Sequence, residues 1–163
     1  QSIIRNARGY CTSFQYDAPG RLARQENPVG SVTTWIYDAA GQNAEVVDAL
    51  AHVKTLTFDP AGRLVSVIYA SGDRITYAYD PAGRRVLMRD WGGDTAWAYD
   101  PRGDLAAVEY PGGYRLTMAY DCVGSRSLLV DPDGGRFTYA YDALDRDQSM
   151  TTPDGDIYTS QYD

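Results

Sequence analysis

One period governs the chain. An aromatic residue followed by Asp recurs at Tyr16-Asp17, Tyr37-Asp38, Phe58-Asp59, Tyr79-Asp80, Tyr99-Asp100, Tyr120-Asp121, Tyr141-Asp142 and Tyr162-Asp163, at steps of 21, 21, 21, 20, 21, 21 and 21 residues. Four residues after the aromatic stand Gly20, Gly41, Gly62, Gly83, Gly103 and Gly124, with Asp145 in the seventh copy. A fixed period of this size marks a repeat architecture, in which each unit buries its apolar surface against its neighbours.

The repeated residues have a common physical use. Asp suits the first position of a type I turn, where its carboxylate can accept backbone N–H bonds. Pro60, Pro81 and Pro101 follow directly, where a φ near −65° is wanted. Gly then takes the left-handed position of a tight hairpin with a G1 bulge. A second turn is expected fourteen residues after each aromatic, at Gly30, Gly72, Gly93, Gly113, Gly134 and Gly155. One unit lacks that Gly and reads Asp48-Ala49-Leu50-Ala51-His52.

Two turns per unit leave two strands of roughly six to eight residues. The strand entering each aromatic-Asp pair shows period-2 alternation: Ile75, Tyr77 and Tyr79 on one face, Arg74, Thr76 and Ala78 on the other. Trp35 with Tyr37, Leu56 with Phe58, Trp97 with Tyr99, and Phe137, Tyr139 and Tyr141 fill the same slots. The outgoing strands are less regular, with apolar residues on both faces in Leu64-Val65-Ser66-Val67-Ile68-Tyr69. The predicted fold is all-β: tandem hairpin repeats of about 21 residues in an antiparallel sheet of about 14 strands, too wide to stay flat. Residues 1–163 form one array, with about seven units over 16–162 and residues 1–15 closing a preceding unit. Both ends read as cut from a longer array.

Composition narrows the function. A net charge of −7 and a pI near 4.6 argue against a nucleic-acid binder, which needs a basic stripe for phosphates. The same charge argues against adhesion to an anionic membrane, and there is no apolar run of about 18 residues for insertion. Cys11 and Cys122 fall at unrelated places in the period, which favours two free thiols over a disulfide.

With Tyr-Asp-x-x-Gly-Arg-Leu at this step, the chain resembles the Rhs/YD-repeat family. Phe58-Asp59-Pro60-Ala61-Gly62-Arg63-Leu64 and Tyr16-Asp17-Ala18-Pro19-Gly20-Arg21-Leu22 carry the likeness, which covers almost the whole chain. Gln42, Asp104 and Ser125 depart from it in place of Arg, and Asp145 in place of Gly. The resemblance implies a long sheet spiralling into a hollow shell, as in bacterial toxin complexes and polymorphic toxins that enclose a toxic domain, and in teneurin-type receptors. It implies a secreted or cell-surface setting such as bacterial effector delivery. It also implies partners of two kinds, other segments of the same shell and an enclosed toxin polypeptide.

Candidate chemistry is sparse. The Asp column could hold calcium, but carboxylates two strand spacings apart lie ~10 Å from one another, too far to share an ion, so turn capping is the simpler role. Asp131-Pro132-Asp133-Gly134-Gly135 lacks the later Glu of an EF-hand loop. His52 has no nucleophile or acid assigned to it by the pattern. No cofactor and no catalysis are expected. Trp35, Tyr77, Trp97 and Tyr139 could form an aromatic face for a glycan or a guest chain, or could be the packed core of the sheet. Trp91, in a turn, is expected to be exposed. The primary reading is a non-enzymatic shell segment that encloses or displays a polypeptide. The alternative is a carbohydrate- or protein-binding adhesion module at the cell surface.

Overall fold

The computed structural model describes residues 2–162. Sixteen strands account for the regular structure, with no helix among the described residues and so none long and apolar enough to cross a membrane. The chain divides into two compact units, Gln1–Tyr77 and Ala78–Asp163. In both, strand order in the sheet is chain order, and neighbours pair antiparallel.

The first unit holds β1 (Ser2–Arg5), β2 (Cys11–Tyr16), β3 (Leu22–Glu26), β4 (Val32–Tyr37), β5 (Asn43–Val47), β6 (Val53–Phe58), β7 (Leu64–Ile68) and most of β8 (Arg74–Tyr79). The second holds β9 (Arg85–Asp90), β10 (Gly93–Tyr99), β11 (Leu105–Glu109), β12 (Arg115–Tyr120), β13 (Arg126–Val130), β14 (Arg136–Tyr141), β15 (Asp147–Thr151) and β16 (Ile157–Thr159). β2, β4, β6, β8, β9, β10, β12 and β14 have the six to eight residues expected, while β3, β5, β7, β11, β13 and β15 have five. Strands number sixteen rather than about 14, because β1 and β2 form a hairpin before the first full unit.

A bulge interrupts every described pairing across an aromatic-Asp turn. Tyr16 pairs with Leu22 but Gln15 pairs with Arg24, which leaves Ala23 unmatched. Ala44, Val65, Ala106, Ser127 and Gln148 are the equivalent extra residues. The hairpins closed by the second turn have none. An extra residue resets side-chain parity and bends the strand that carries it. This is why the outgoing strands showed apolar residues on both of their apparent faces.

Cross-strand rows organise the apolar surface. In the first unit Leu56, Val67 and Ile75 form one row, and in the second Trp97, Val108 and Leu116 form another. Among the described residues Val67, Ala107 and Val108 are the buried hydrophobic ones, and no side chain is fully enclosed. Most of the remaining row residues are half-buried, as one layer of sheet allows.

The single 20-residue step has a local cause. Between β9 and β10, Asp90 pairs with Gly93, so only Trp91 and Gly92 make the turn. Gly93, expected within the second turn, is instead the first residue of β10, paired across the ladder with a φ of 123°. Trp91 is 73% exposed.

Candidate functional site

All the longer turns share one geometry. In the first aromatic-Asp turn, the Asp17 N–H donates to the Arg21 carbonyl at 2.9 Å and the Gly20 N–H donates to the Asp17 carbonyl at 3.0 Å. The second turn of the unit repeats this pair with Asn27, Gly30 and Ser31, each bond 3.0 Å. Side chains reinforce it. Asp59 Oδ1 accepts from the Ala61 and Arg63 N–H groups at 2.9 Å, and Asp131 Oδ1 accepts from Asp133 and Gly135. Asp38, Asp100, Asp121 and Asp142 accept from their own turns in the same way. Gly20, Gly41, Gly62, Gly83, Gly103 and Gly124 all have positive φ. Among the described residues two with a Cβ occupy that conformation, Ala51 (φ 63°) and Asp145 (φ 61°).

Aromatic-Asp turns also reach forward to the next repeat. Arg21 Nε donates to Asp17 Oδ2 at 2.7 Å while its guanidinium lies over the Tyr37 ring, 4.3 Å from the centroid. Tyr37 in turn donates its hydroxyl to the Leu22 carbonyl at 2.9 Å. Asp, Arg and the next Tyr thus form one joint. Arg84 bonds Asp80 at 2.7 Å and covers Tyr99 at 4.5 Å, and Arg146 bonds Asp142 at 2.7 Å and covers Tyr162 at 4.4 Å. Asp163, the partner of Tyr162 in the motif, lies outside the described residues. Tyr99, Tyr120 and Tyr141 donate to the carbonyls of Arg85, Leu105 and Arg126, each at 2.9 Å. Tyr16, in the leading copy, lies 3.5 Å from Ser2 Oγ and is half-exposed.

Departures from the motif fall together within joints. Gln42 and Phe58 hold the Arg and Tyr positions of one joint, which so lacks both the guanidinium and the hydroxyl. Beside them the Asn43 Oδ1 is buried without a hydrogen-bond partner. Where Asp104 replaces Arg, Arg102 reaches across instead, its Nη1 donating to the Asp121 carbonyl at 2.7 Å. Where Asp145 replaces Gly, the preceding repeat supplies Ser125, whose hydroxyl donates to Asp145 Oδ1. The Arg column had no part in the site expected from sequence; the signal for it was this pairing of exceptions.

Electrostatics follow from the same contacts. For Asp59 and Asp142 the strongest influence is the N–H bond from Arg63 or Arg146; partial burial opposes it, the guanidinium adds to it, and the carboxyl sits below the ordinary range. For Asp17 and Asp80 burial is the largest single influence and pushes upward, but the combined N–H and guanidinium bonds outweigh it. Asp121 is lowered likewise against burial, by the Ser125, Val123 and Gly124 N–H groups and the Arg102 charge.

The remaining sequence candidates stand apart from this column. Trp35, Tyr77, Trp97 and Tyr139 are half-buried within the cross-strand rows, Trp35 opposite Val46 and Tyr139 opposite Met150. Arg126 covers the Tyr139 ring at 4.6 Å. They are neither an open platform nor a sealed core. His52 Nδ1 lies 3.0 Å from Asp48 Oδ2, at the rim of an open depression of about 600 Å³ lined also by Val46, Val53, Lys54 and Tyr69. Cys11 and Cys122 are free thiols. Among the described residues no three His, Cys, Asp or Glu side chains group as metal ligands.

Fold and joints together define a tandem β-hairpin repeat protein, its hairpins laid side by side and tied turn to turn. The chain belongs to the Teneurin YD-shell family, which matches residues 1–160. It is similar to the chain solved in the TcdB2-TccC3-Cdc42 crystal structure, with 18% identity and a TM-score of 0.73, covering 92% of this chain and 10% of that one. The Tc holotoxin pore of Photorhabdus luminescens matches with 18% identity and a TM-score of 0.74, over 94% and 10% of the two chains. TcdB2-TccC3 without its hypervariable C-terminal region matches with 19% identity and a TM-score of 0.70, over 87% and 9%. At such identities the likeness is one of fold. The chain spans about a tenth of the length of these relatives. No curated protein matches it.

Proposed function

We propose that this chain is a wall segment of a YD-repeat shell that encloses or displays another polypeptide, such as a toxin domain, and that it carries out no catalysis. The observation that carries this reading is the family match along residues 1–160. Two features support it. The tyrosines and arginines at the joints are spent on holding hairpins together, and the Asp column is spent on its own turns. The similar solved chains belong to TcdB2-TccC3 assemblies, one of them a Tc holotoxin pore.

In this reading residues 1–163 are one array within a longer chain, and its partners are adjoining shell segments and the enclosed polypeptide. The protein acts outside the cell that makes it, secreted or at the surface, without membrane insertion or nucleic-acid binding, in keeping with its charge of −7. Electron cryo-microscopy of the longest natural chain containing the segment tests it. A closed hollow particle with density inside is the expected result; a solid rod without a cavity overturns the proposal.

A further inference from the structure

We propose that the residue after each turn glycine and the turn residue one repeat later are a matched pair, which decides which hairpin can lie beside which. The surface concerned is the turn edge of a hairpin, and its partner is another hairpin of this family with a complementary turn residue.

The pairing rests on close approach. A Cβ on Gly41 would lie 3.0 Å from Arg21 Nη1, and one on Gly103 would lie 3.0 Å from Arg84 Nη1. A Cβ on Gly62 would meet Gln42 Nε2 at 3.1 Å. The tip of an arginine ordinarily swings aside at little cost. Arg21 is held on two sides, by Asp17 at 2.7 Å and by the Tyr37 ring at 4.3 Å, so moving it breaks the joint. The glycine is therefore required by its neighbour as well as by its own φ of 85°.

The seventh turn is the complementary solution. Asp145 holds the left-handed position, which Asp tolerates better than most residues with a Cβ. Ser125 stands where Arg21 and Arg84 stand in their repeats, and its short side chain donates its hydroxyl to the Asp145 carboxylate. A large side chain faces Gly, and a small hydroxyl faces a carboxylate. Arg102 is a third form, covering Gly124 from two positions earlier, with its Nη2 3.5 Å from the place of a Cβ.

The test is a pair of double-mutant cycles in the longest natural chain containing the segment, read by localised amide hydrogen exchange in the two hairpins concerned. Gly41→Ala carries the same backbone strain in any background but meets Arg21 only when Arg21 is present. We expect it to raise exchange about tenfold more with Arg21 than after Arg21→Ser, within the usual range for touching residues. Ser125→Ala and Asp145→Asn form the second cycle and keep the backbone conformation accessible, so the proposal stays testable if Gly41→Ala prevents folding. There the combined effect should fall short of the product of the single effects by about threefold or more. If the single effects multiply without coupling in either cycle, the matched pair is refuted.

Discussion

At the scale of single residues, the weakest joint makes its own forecast. Phe58 occupies a slot in which Tyr37, Tyr99, Tyr120 and Tyr141 donate a hydroxyl to a carbonyl fourteen or fifteen residues back. The corresponding carbonyl is that of Asn43. Phe58→Tyr should therefore stabilise the first unit by about 0.5–1.5 kcal/mol, the net value of one such bond, seen as slower hydrogen exchange in β5 and β6. An unchanged rate would mean the hydroxyl finds no acceptor. Ala51 offers a second case. Its φ of 63° carries the left-handed penalty of ~1–2 kcal/mol, partly offset because glycine has more freedom to lose on folding. Ala51→Gly should raise stability by up to about 1 kcal/mol in a thermal or denaturant unfolding experiment.

Among the elements, incoming strands were legible and outgoing ones were not. Ile75, Tyr77 and Tyr79 alternate because nothing interrupts β8, whereas the extra Val65 in β7 changes parity midway and defeats a strict period of two. No residue type announces that bulge, since Ala, Val, Ser and Gln all fill it. The aromatic-Asp turns were readable to the residue, because Asp and Gly have specific tasks there, whereas the second turn expected at Gly93 lies at Trp91 and Gly92. The joint between repeats was hidden, since a 20-residue separation says nothing of contact until strand order is known. The carboxylates of those turns also set the response to acid. Asp17, Asp59, Asp80, Asp121 and Asp142 all have folded pKa values below the unfolded one. Their stabilisation is complete above the unfolded value of about 4 and is lost as pH falls through the lower folded values. Stability should thus stay level with respect to these groups from neutral pH down to about 4, then fall, with hydrogen exchange in the turns rising first. A loss of protection in these turns already at pH 6 would contradict this.

For the molecule as a whole, the terminal strands matter most. Ile3 and Ile4 on β1 are each 63% exposed, and Ile157 and Tyr158 on β16 are 66% and 61% exposed. β1 and β16 each have a hydrogen-bonded neighbour on one side only. Edge strands with apolar side chains recruit further strands. Expressed alone, the 163-residue segment should therefore form oligomers or filaments in sedimentation velocity runs, increasingly so with concentration. A lasting monomer at high concentration would show that these edges are self-protected.

The two-residue turn at Trp91 and Gly92 says how such a chain can age. It shortened one unit by a residue, yet Arg84 still covers Tyr99 just as Arg21 covers Tyr37, because the loss fell in the turn at the opposite end of the hairpin from the Asp-Arg-Tyr joint. Deletions there, and by the same geometry insertions, pass without disturbing the joints, while the same changes between an Asp and its Arg would sever one. Descendants of this array can thus drift out of step in their spelling while the hairpins remain aligned, and kinship among them will outlast any regular count of residues.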